Sequence, residues 1–478
     1  MNRTLLLVAA TGVLAVGALL LGTPPEPPAP PPPVVTDTSH TVRRAEDPPA
    51  TRTLPLVTSR PEDGALSMAG KLSGAYVQTG PSEAFAWLEL KARPAEAGQR
   101  VPVNLALVLD RSGSMNGKKL EDARRAAAEL VRRLTPEDRL AFIDYGTDVR
   151  VQPSRRMTDE ARAELLALIS ELRDEGSTNI SGALDSAASA LRPHLREYRV
   201  SRAILLSDGQ PTTGIVSEPG LLDQVARLRR DGITVSALGV GRDYQETLMR
   251  GMAEQGGGFS GFIDDSERLA EVFSRELDQA TRTVARLVEL RLDVPPEVRH
   301  LEVMGMASFR EGNVLKVPLY DMAGAQTVRV VAKLTLDTGK ASGTLALLNA
   351  RLHYVDVARD LPADTALRLT AEVTGDAARV REHLDKEVRV HAVRALGTQQ
   401  MVAAAEEMKR GNKVKARGLL DNARAIFGSS AEALSGELAD VSRSQAALAG
   451  ASSAEETQAE SRNLLKKSIR NFGQNNTY

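Results

Sequence analysis

The sequence predicts an α/β fold: a doubly wound, mainly parallel sheet inserted in or followed by an antiparallel β-sandwich, plus a C-terminal helical hairpin. Three observations carry that expectation. Continuous apolar runs at 105–109 and 203–206 read as strands buried on both faces. Strand-like and helix-like stretches alternate between residues 101 and 286, the order that builds a parallel sheet covered on both sides. Short strand-like pieces separated by turn residues lie on either side of that region, as an antiparallel sheet reads.

Within 101–286, the first apolar run ends in Asp110. Residues 118–134 then place Leu120, Ala123, Ala127, Leu130, Val131 and Leu134 at three- and four-residue spacing, the apolar face of an amphipathic helix. Residues 139–143 read as the next strand, with 149–152 pairing beside it. Further helices are expected at 160–172, 181–191, 221–230, 245–254 and 267–283, and strands at 203–206, 234–238 and 259–263.

Before this region, 75–78 and 84–90 read as strands. After it, so do 287–294, 301–303, 314–319, 327–336, 344–357 and 367–373. Pairing of the strands before residue 101 with those after 284 would make the α/β unit an insertion in one sandwich. From 375 to 427, Leu384, Val388, Val393, Leu396, Met401, Met408, Leu419, Leu420 and Ile426 supply the apolar positions of a helical hairpin that turns at Gly411-Asn412 and packs on the sandwich. Residues 428–478 are rich in Ser, Ala and Glu with weak periodicity, and are expected to be a weakly ordered helical tail. The sandwich itself is expected to comprise 63–100 and 287–374.

At the amino terminus, Arg3 precedes an apolar run over 5–21, intermediate between a long signal-peptide core and a short transmembrane helix. No clean small-x-small cleavage site follows. A cleaved signal peptide and a retained single-pass membrane anchor over 1–22 both stay open, and both mean export to the periplasm or cell envelope, membrane-anchored or secreted. Residues 23–62 form a proline-rich linker whose 24–33 stretch is nearly all proline, an extended spacer that serves either as a stalk or as a disordered connection.

Composition removes several function classes. The 61 Lys and Arg nearly balance the 62 Asp and Glu, for a formal net charge of −1, so no global basic footprint for nucleic acid exists. Aromatics are 3%, too few for base-stacking platforms. Six scattered histidines and no cysteine argue against a zinc enzyme, a disulfide framework or a cysteine nucleophile.

The chemistry-bearing residues fall at the ends of the buried strands. In Leu109-Asp110-Arg111-Ser112-Gly113-Ser114-Met115, three oxygen-bearing side chains sit at alternate positions, so a loop can turn them toward one point. Thr178 lies in the polar stretch Glu175-Gly176-Ser177-Thr178-Asn179-Ile180-Ser181-Gly182, just before a helix. Asp208 ends the second buried strand in Ser207-Asp208-Gly209. Open α/β sheets place ligands at the carboxyl ends of their strands, so all three loops can share one rim. Two carboxylates and three hydroxyls form a hard oxygen set suited to Mg²⁺, Mn²⁺ or Ca²⁺. Taken singly, Ser112, Ser114 and Thr178 are also ordinary turn and capping residues.

This pattern resembles the von Willebrand factor A family, known for its metal-ion-dependent adhesion site. Asp110, Ser112 and Ser114 match its Asp-x-Ser-x-Ser motif, Thr178 its loop threonine and Asp208 its distal aspartate. The resemblance covers 101–286, and the flanking strands resemble those of bacterial exported A-domain proteins and inter-alpha-trypsin inhibitor heavy chains. It implies a Rossmann-like sheet and direct metal contacts from the two serines. It also implies a threonine that joins with conformational state, aspartates acting through water, and a partner's acidic side chain completing the coordination. Movement of the helix at 267–283 is a further implication.

The expected function is therefore non-enzymatic: an envelope protein that binds a protein ligand through a divalent ion. One alternative is a scaffold or assembly subunit in which the metal is structural. Another is a metal-dependent hydrolase, which needs a positioned base, and neither Asp144 nor Asp243 has a motif for that role. Gly256, Gly258 and Gly261 have dinucleotide-binding spacing, but they follow a helix and lead into a strand, the reverse of the required order. Trp87 reads as core and His353 as a sheet-face residue.

Overall fold

The computed structural model describes residues 56–59, 64–95, 100–208, 210–241, 245–263, 266–339 and 341–473. The apolar segment 5–21, the proline run 24–33 and Asp243 lie outside these residues. Among the described residues no helix is long and apolar enough to cross a membrane.

The chain opens with β1 (Val57–Ser59), β2 (Leu66–Leu72), β3 (Tyr76–Gln78) and β4 (Pro81–Ala92). The α/β unit follows: β5 (Val103–Asp110), α1 (Lys118–Arg133), β6 (Arg139–Tyr145), β7 (Val149–Arg156), α2 (Asp159–Ser170), α3 (Ile180–Leu191), β8 (Val200–Ser207), α4 (Glu218–Arg230), β9 (Ile233–Val240), α5 (Glu246–Gly256), β10 (Gly257–Ile263) and α6 (Leu269–Thr281). Its six strands lie in the order β10-β9-β8-β5-β6-β7, all parallel except β7. Every residue of β5, β8 and β9 is buried, because both faces of the sheet are covered. Leu105, Leu107 and Leu109 pack with α1, α2 and α6 on one face. Ala106 and Val108 pack with α3, α4 and α5 on the other. Local signals agree with these boundaries: the Thr158 hydroxyl caps α2, the Asn179 side chain caps α3, and Gly257 at φ 71° ends α5.

After α6 come β11 (Thr283–Asp293), β12 (Val298–Val303), β13 (Phe309–Glu311), β14 (Val314–Pro318), β15 (Met322–Ala323), β16 (Thr327–Asp337), β17 (Gly343–Asp356) and β18 (Leu361–Thr374). One sheet runs β1-β2-β4-β16-β12; the other runs β13-β14-β11-β17-β18-β3, with β15 on β11. Strand β4 pairs antiparallel with β16 from Pro81–Asp337 to Lys91–Thr327, and β3 pairs with β18. Strands from both sides of the α/β unit thus complete the same sheets, so that unit is an insertion in the sandwich. Leu66, Met68, Leu88 and Leu90 face Leu290, Leu292, Leu352 and Leu369 in the shared core.

The carboxyl-terminal region holds α7 (Ala377–Glu382), α8 (Lys386–Lys409), α9 (Lys413–Gly428), α10 (Ser435–Gly450) and α11 (Ala454–Asn471). Helix α8 covers the outer face of the β4–β16 pair, where Phe85, Trp87 and Val331 meet Val388, Ala392 and Leu396. This cover explains why 84–88 of β4 is buried continuously and does not alternate. Trp87 is core, stacked on His391 with ring centroids 5.1 Å apart.

Two expectations need correction. Val57–Ser59, assigned to the proline-rich linker, forms edge strand β1 on β2, held by backbone pairing that composition does not reveal. The region 428–478, expected to be a weakly ordered helical tail, is helical but packed: it supplies α10 and α11, and Leu434, Val441, Leu448, Leu464 and Leu465 are buried against α8 and α9. Its buried serines find backbone acceptors: the Ser461 hydroxyl donates across to the Ala405 carbonyl of α8 at 2.7 Å, and that of Ser468 donates within its own helix to the Leu464 carbonyl at 2.8 Å. A serine-rich helix face can therefore pack inward without orphaned polar atoms.

Candidate metal site at the sheet rim

Strands β5 and β8 are neighbours at the sheet centre, and the crossovers from them diverge to opposite faces. Their carboxyl ends frame the crevice where such sheets bind ligands. Asp110 is the last residue of β5, and Asp208 follows the last residue of β8. The Asp110 side chain is held on both oxygens. Its Oδ2 accepts from the Ser207 hydroxyl at 2.6 Å and its Oδ1 from the Ser112 backbone N–H at 2.8 Å. Burial pushes the Asp110 carboxyl above the usual carboxylate range, while hydrogen bonds from Ser112 and Ser207 pull it down.

The two motif serines converge. Ser112 Oγ and Ser114 Oγ lie 3.1 Å apart, and Ser114 Oγ donates to Asp208 Oδ1 at 2.7 Å. Ser112 and Asp208 are each 2% exposed, whereas Ser114 faces solvent. Thr178 is 4% exposed, and its loop is stitched to both others through the backbone. Gly113 N–H donates to the Gly176 carbonyl at 3.1 Å and Glu175 N–H to the Arg111 carbonyl at 2.7 Å. On the other side, Thr178 N–H donates to Thr212 Oγ1 at 2.8 Å, and Thr212 N–H donates to the Thr178 carbonyl at 2.9 Å. Among the described residues the Thr178 hydroxyl makes no hydrogen bond to the Ser112–Ser114–Asp208 cluster.

Four supporting residues were not singled out from the sequence. Arg111, 1% exposed, donates through Nε to Asp144 Oδ1 at 2.6 Å and through Nη1 to Glu175 Oε2 at 3.1 Å. It thereby clamps the Thr178 loop to the end of β6. Ser207 orients Asp110. Lys119 Nζ lies 2.5 Å from Asp208 Oδ2 and 3.2 Å from the Ser114 carbonyl. Glu175 completes the clamp. Arg111, Glu175 and Ser207 stood inside the quoted stretches without a role assigned; Lys119 reaches the rim through a helix turn that strand-end reasoning does not follow. Asp144 is ion-paired with Arg111 and so is no free base for hydrolysis.

The donor set is two carboxylates and hydroxyls, without imidazole or thiolate. Among the described residues no group of three or more His, Cys, Asp or Glu side chains gathers to hold a metal. The rim set fits an oxygen-preferring dication that keeps water ligands, with Ser114 on the open side.

Residues 104–275 match the family model described as the von Willebrand factor type A domain. The α/β unit is a von Willebrand factor A domain. The chain is similar to an uncharacterized protein, YfbK, of Escherichia coli, 28% identical over 53% of this chain and 45% of that protein. It is also 30% identical to the mouse inter-alpha-trypsin inhibitor heavy chain 4, over 34% of this chain and 18% of that one. The chain thus spans half or less of the length of these two relatives. Among solved structures, a von Willebrand factor type A protein from Catenulispora acidiphila superposes with a TM-score of 0.63 at 18% identity, over 80% of this chain and 91% of the other. The ArnB paralog VWA2 from Sulfolobus acidocaldarius does so with a TM-score of 0.55 at 16% identity, over 86% and 99%. These likenesses extend beyond the A domain and show the fold. The von Willebrand factor A fold is a protein-interaction and adhesion fold, in keeping with a non-enzymatic role.

Proposed function

We propose that this chain is a non-enzymatic cell-envelope protein that binds a protein partner through a divalent ion, Mg²⁺, Mn²⁺ or Ca²⁺, held by Asp110, Ser112, Ser114, Thr178 and Asp208. The observation that carries the reading is the convergence of Ser112, Ser114 and Asp208, with Ser114 on the solvent side. Asp110 acts from behind, holding the Ser112 backbone in the turn. Thr178 is carried into the neighbourhood by its stitched loop. A bound dication supplies an electrophilic point on the rim, and an acidic side chain of the partner is the complementary group, since a charge-assisted contact to a dication is strong where water is partly excluded. The envelope assignment rests on the apolar run at 5–21 and the proline spacer after it.

The test is calorimetric titration of Mg²⁺ and Mn²⁺ into the purified full-length protein, with Asp110→Ala alongside. One-site binding that the variant loses while its melting temperature is kept supports the reading. Loss of stability in Asp110→Ala, with partner binding independent of ions, moves the scaffold alternative forward.

A further inference from the structure

We propose that Lys119 is a built-in cation of the rim site that lowers its affinity for the metal ion and raises the loaded site's attraction for a carboxylate. This rests on the metal-site reading above and adds a residue outside the five-residue motif.

Three features place the ammonium there. Lys119 stands in the first turn of α1, and its Nζ contacts Asp208 Oδ2 at 2.5 Å while Asp208 Oδ1 is taken by Ser114. It also donates to the Ser114 carbonyl at 3.2 Å, so it touches two of the five site residues. Its stem passes over Gly241, at φ 84°, where a Cβ would lie 2.9 Å from Lys119 Cε. A side chain at 241 would crowd that path. The neighbouring Lys118 points elsewhere, to Asp122 and Glu267, so the role belongs to one position and not to a generally basic helix start.

The consequence follows from charge. Asp110 and Asp208 carry two negative charges, and Lys119 leaves the site at net −1. A dication then brings it to +1, and one carboxylate from a partner makes it neutral. Without Lys119 the dication alone reaches neutrality, and the partner's carboxylate leaves an excess negative charge in a rim whose Asp208 side chain is 0% exposed. Coulomb interactions at this separation are large in a poorly hydrated site and are damped by the 31% exposure of Lys119. Lys119 therefore trades metal affinity for ligand affinity. A purely structural lysine, neutralising Asp208 for folding alone, would not move the two affinities in opposite directions.

The test uses the full-length protein and three variants: Lys119→Met, Lys119→Gln and Lys119→Arg. MnCl₂ is titrated first; then, at saturating Mn²⁺, a tetrapeptide with blocked ends and a single aspartate serves as the carboxylate probe. Removing the charge should tighten Mn²⁺ binding about tenfold and weaken the peptide about fivefold, while Lys119→Arg stays within about twofold of the parent on both. Lys119→Gln keeps a polar stem end, so a folding defect confined to Lys119→Met leaves the comparison intact. Equal Mn²⁺ affinities in all four proteins overturn this proposal and leave the metal site standing. Failure of the parent and every variant to bind Mn²⁺ overturns both.

Discussion

Arg111 and Asp144 form a nearly buried ion pair directly under the rim, with Nε 2.6 Å from Oδ1 and side-chain exposures of 1% and 7%. Burial pushes the Asp144 carboxyl up and Arg111 opposes the shift, and through its second contact, to Glu175, Arg111 ties the pair to the Thr178 loop. Removing one partner of a buried pair leaves the other charge uncompensated, at a cost of about 3–5 kcal/mol. Arg111→Met should lower stability by about 3 kcal/mol in denaturant unfolding, and should loosen 175–178 enough to weaken any ion binding. An unchanged midpoint would show that the pair is relaxed by solvent.

Gly176 sits at φ 80°, where an added Cβ would lie 2.3 Å from Thr147 Oγ1. Gly176→Ala is therefore expected to cost about 1–3 kcal/mol of local strain and to displace Thr178. Mn²⁺ titration and thermal melts on the same sample separate the effects. The ion affinity should drop more than the melting temperature implies.

A second buried pair lies within the α/β unit, on the side that meets the sandwich. Arg202 of β8 and Glu276 of α6 are both 0% exposed at 3.3 Å, and Asp321 of the sandwich lies 4.0 Å from Arg202. Glu276→Ala should destabilise by about 3–5 kcal/mol and expose α6 to faster hydrogen exchange. Protection of α6 equal to the parent's would show that the pair does not hold that helix.

His391, stacked on Trp87, has its pKa lowered to about 4 by burial, with Arg394 and Arg329 adding to the shift. The folded value lies below the unfolded one near 6.5, so the unfolded chain takes up the proton first. Stability is thus lost as pH falls from about 6.5 to about 4, by up to about 3 kcal/mol. Urea unfolding at the two ends of that window, on the parent and on His391→Phe, should show a smaller pH-dependent loss in the variant.

Leu464 is 0% exposed in α11. Leu464→Ala should cost about 2–5 kcal/mol, as for a core leucine. A change below about 0.5 kcal/mol is what a frayed tail would give.

Much of the α/β unit was legible because a strand buried on both faces is a continuous apolar run, and Leu105 to Leu109 and Ala203 to Leu206 have no other economical reading. Strand β2 was not legible: Leu66–Leu72 carries Ser67, Gly70 and Lys71 among its apolar residues. Gly70 leaves room for a neighbouring strand, since a Cβ there would press on Leu88 Cδ2 at 2.7 Å, and Lys71 is neutralised by Glu387 from α8 at 2.7 Å. Both reasons lie more than fifteen residues away in the chain. The helical character of 428–478 was legible, but the inward packing of α10 and α11 was not, since Ser444, Ser461 and Ser468 read as surface until their neighbours are known.

By itself the sequence determined the alternating core, the rim positions of Asp110 and Asp208, and the hard-oxygen character of the candidate site, because strand periodicity and donor chemistry are local properties. Tertiary structure alone decided that β4 pairs with β16 across the inserted domain, that Arg111 and Lys119 belong to the rim, and that the last helices pack inward. Each of these depends on which distant group satisfies a charge or covers an apolar face, and a linear pattern does not carry that information.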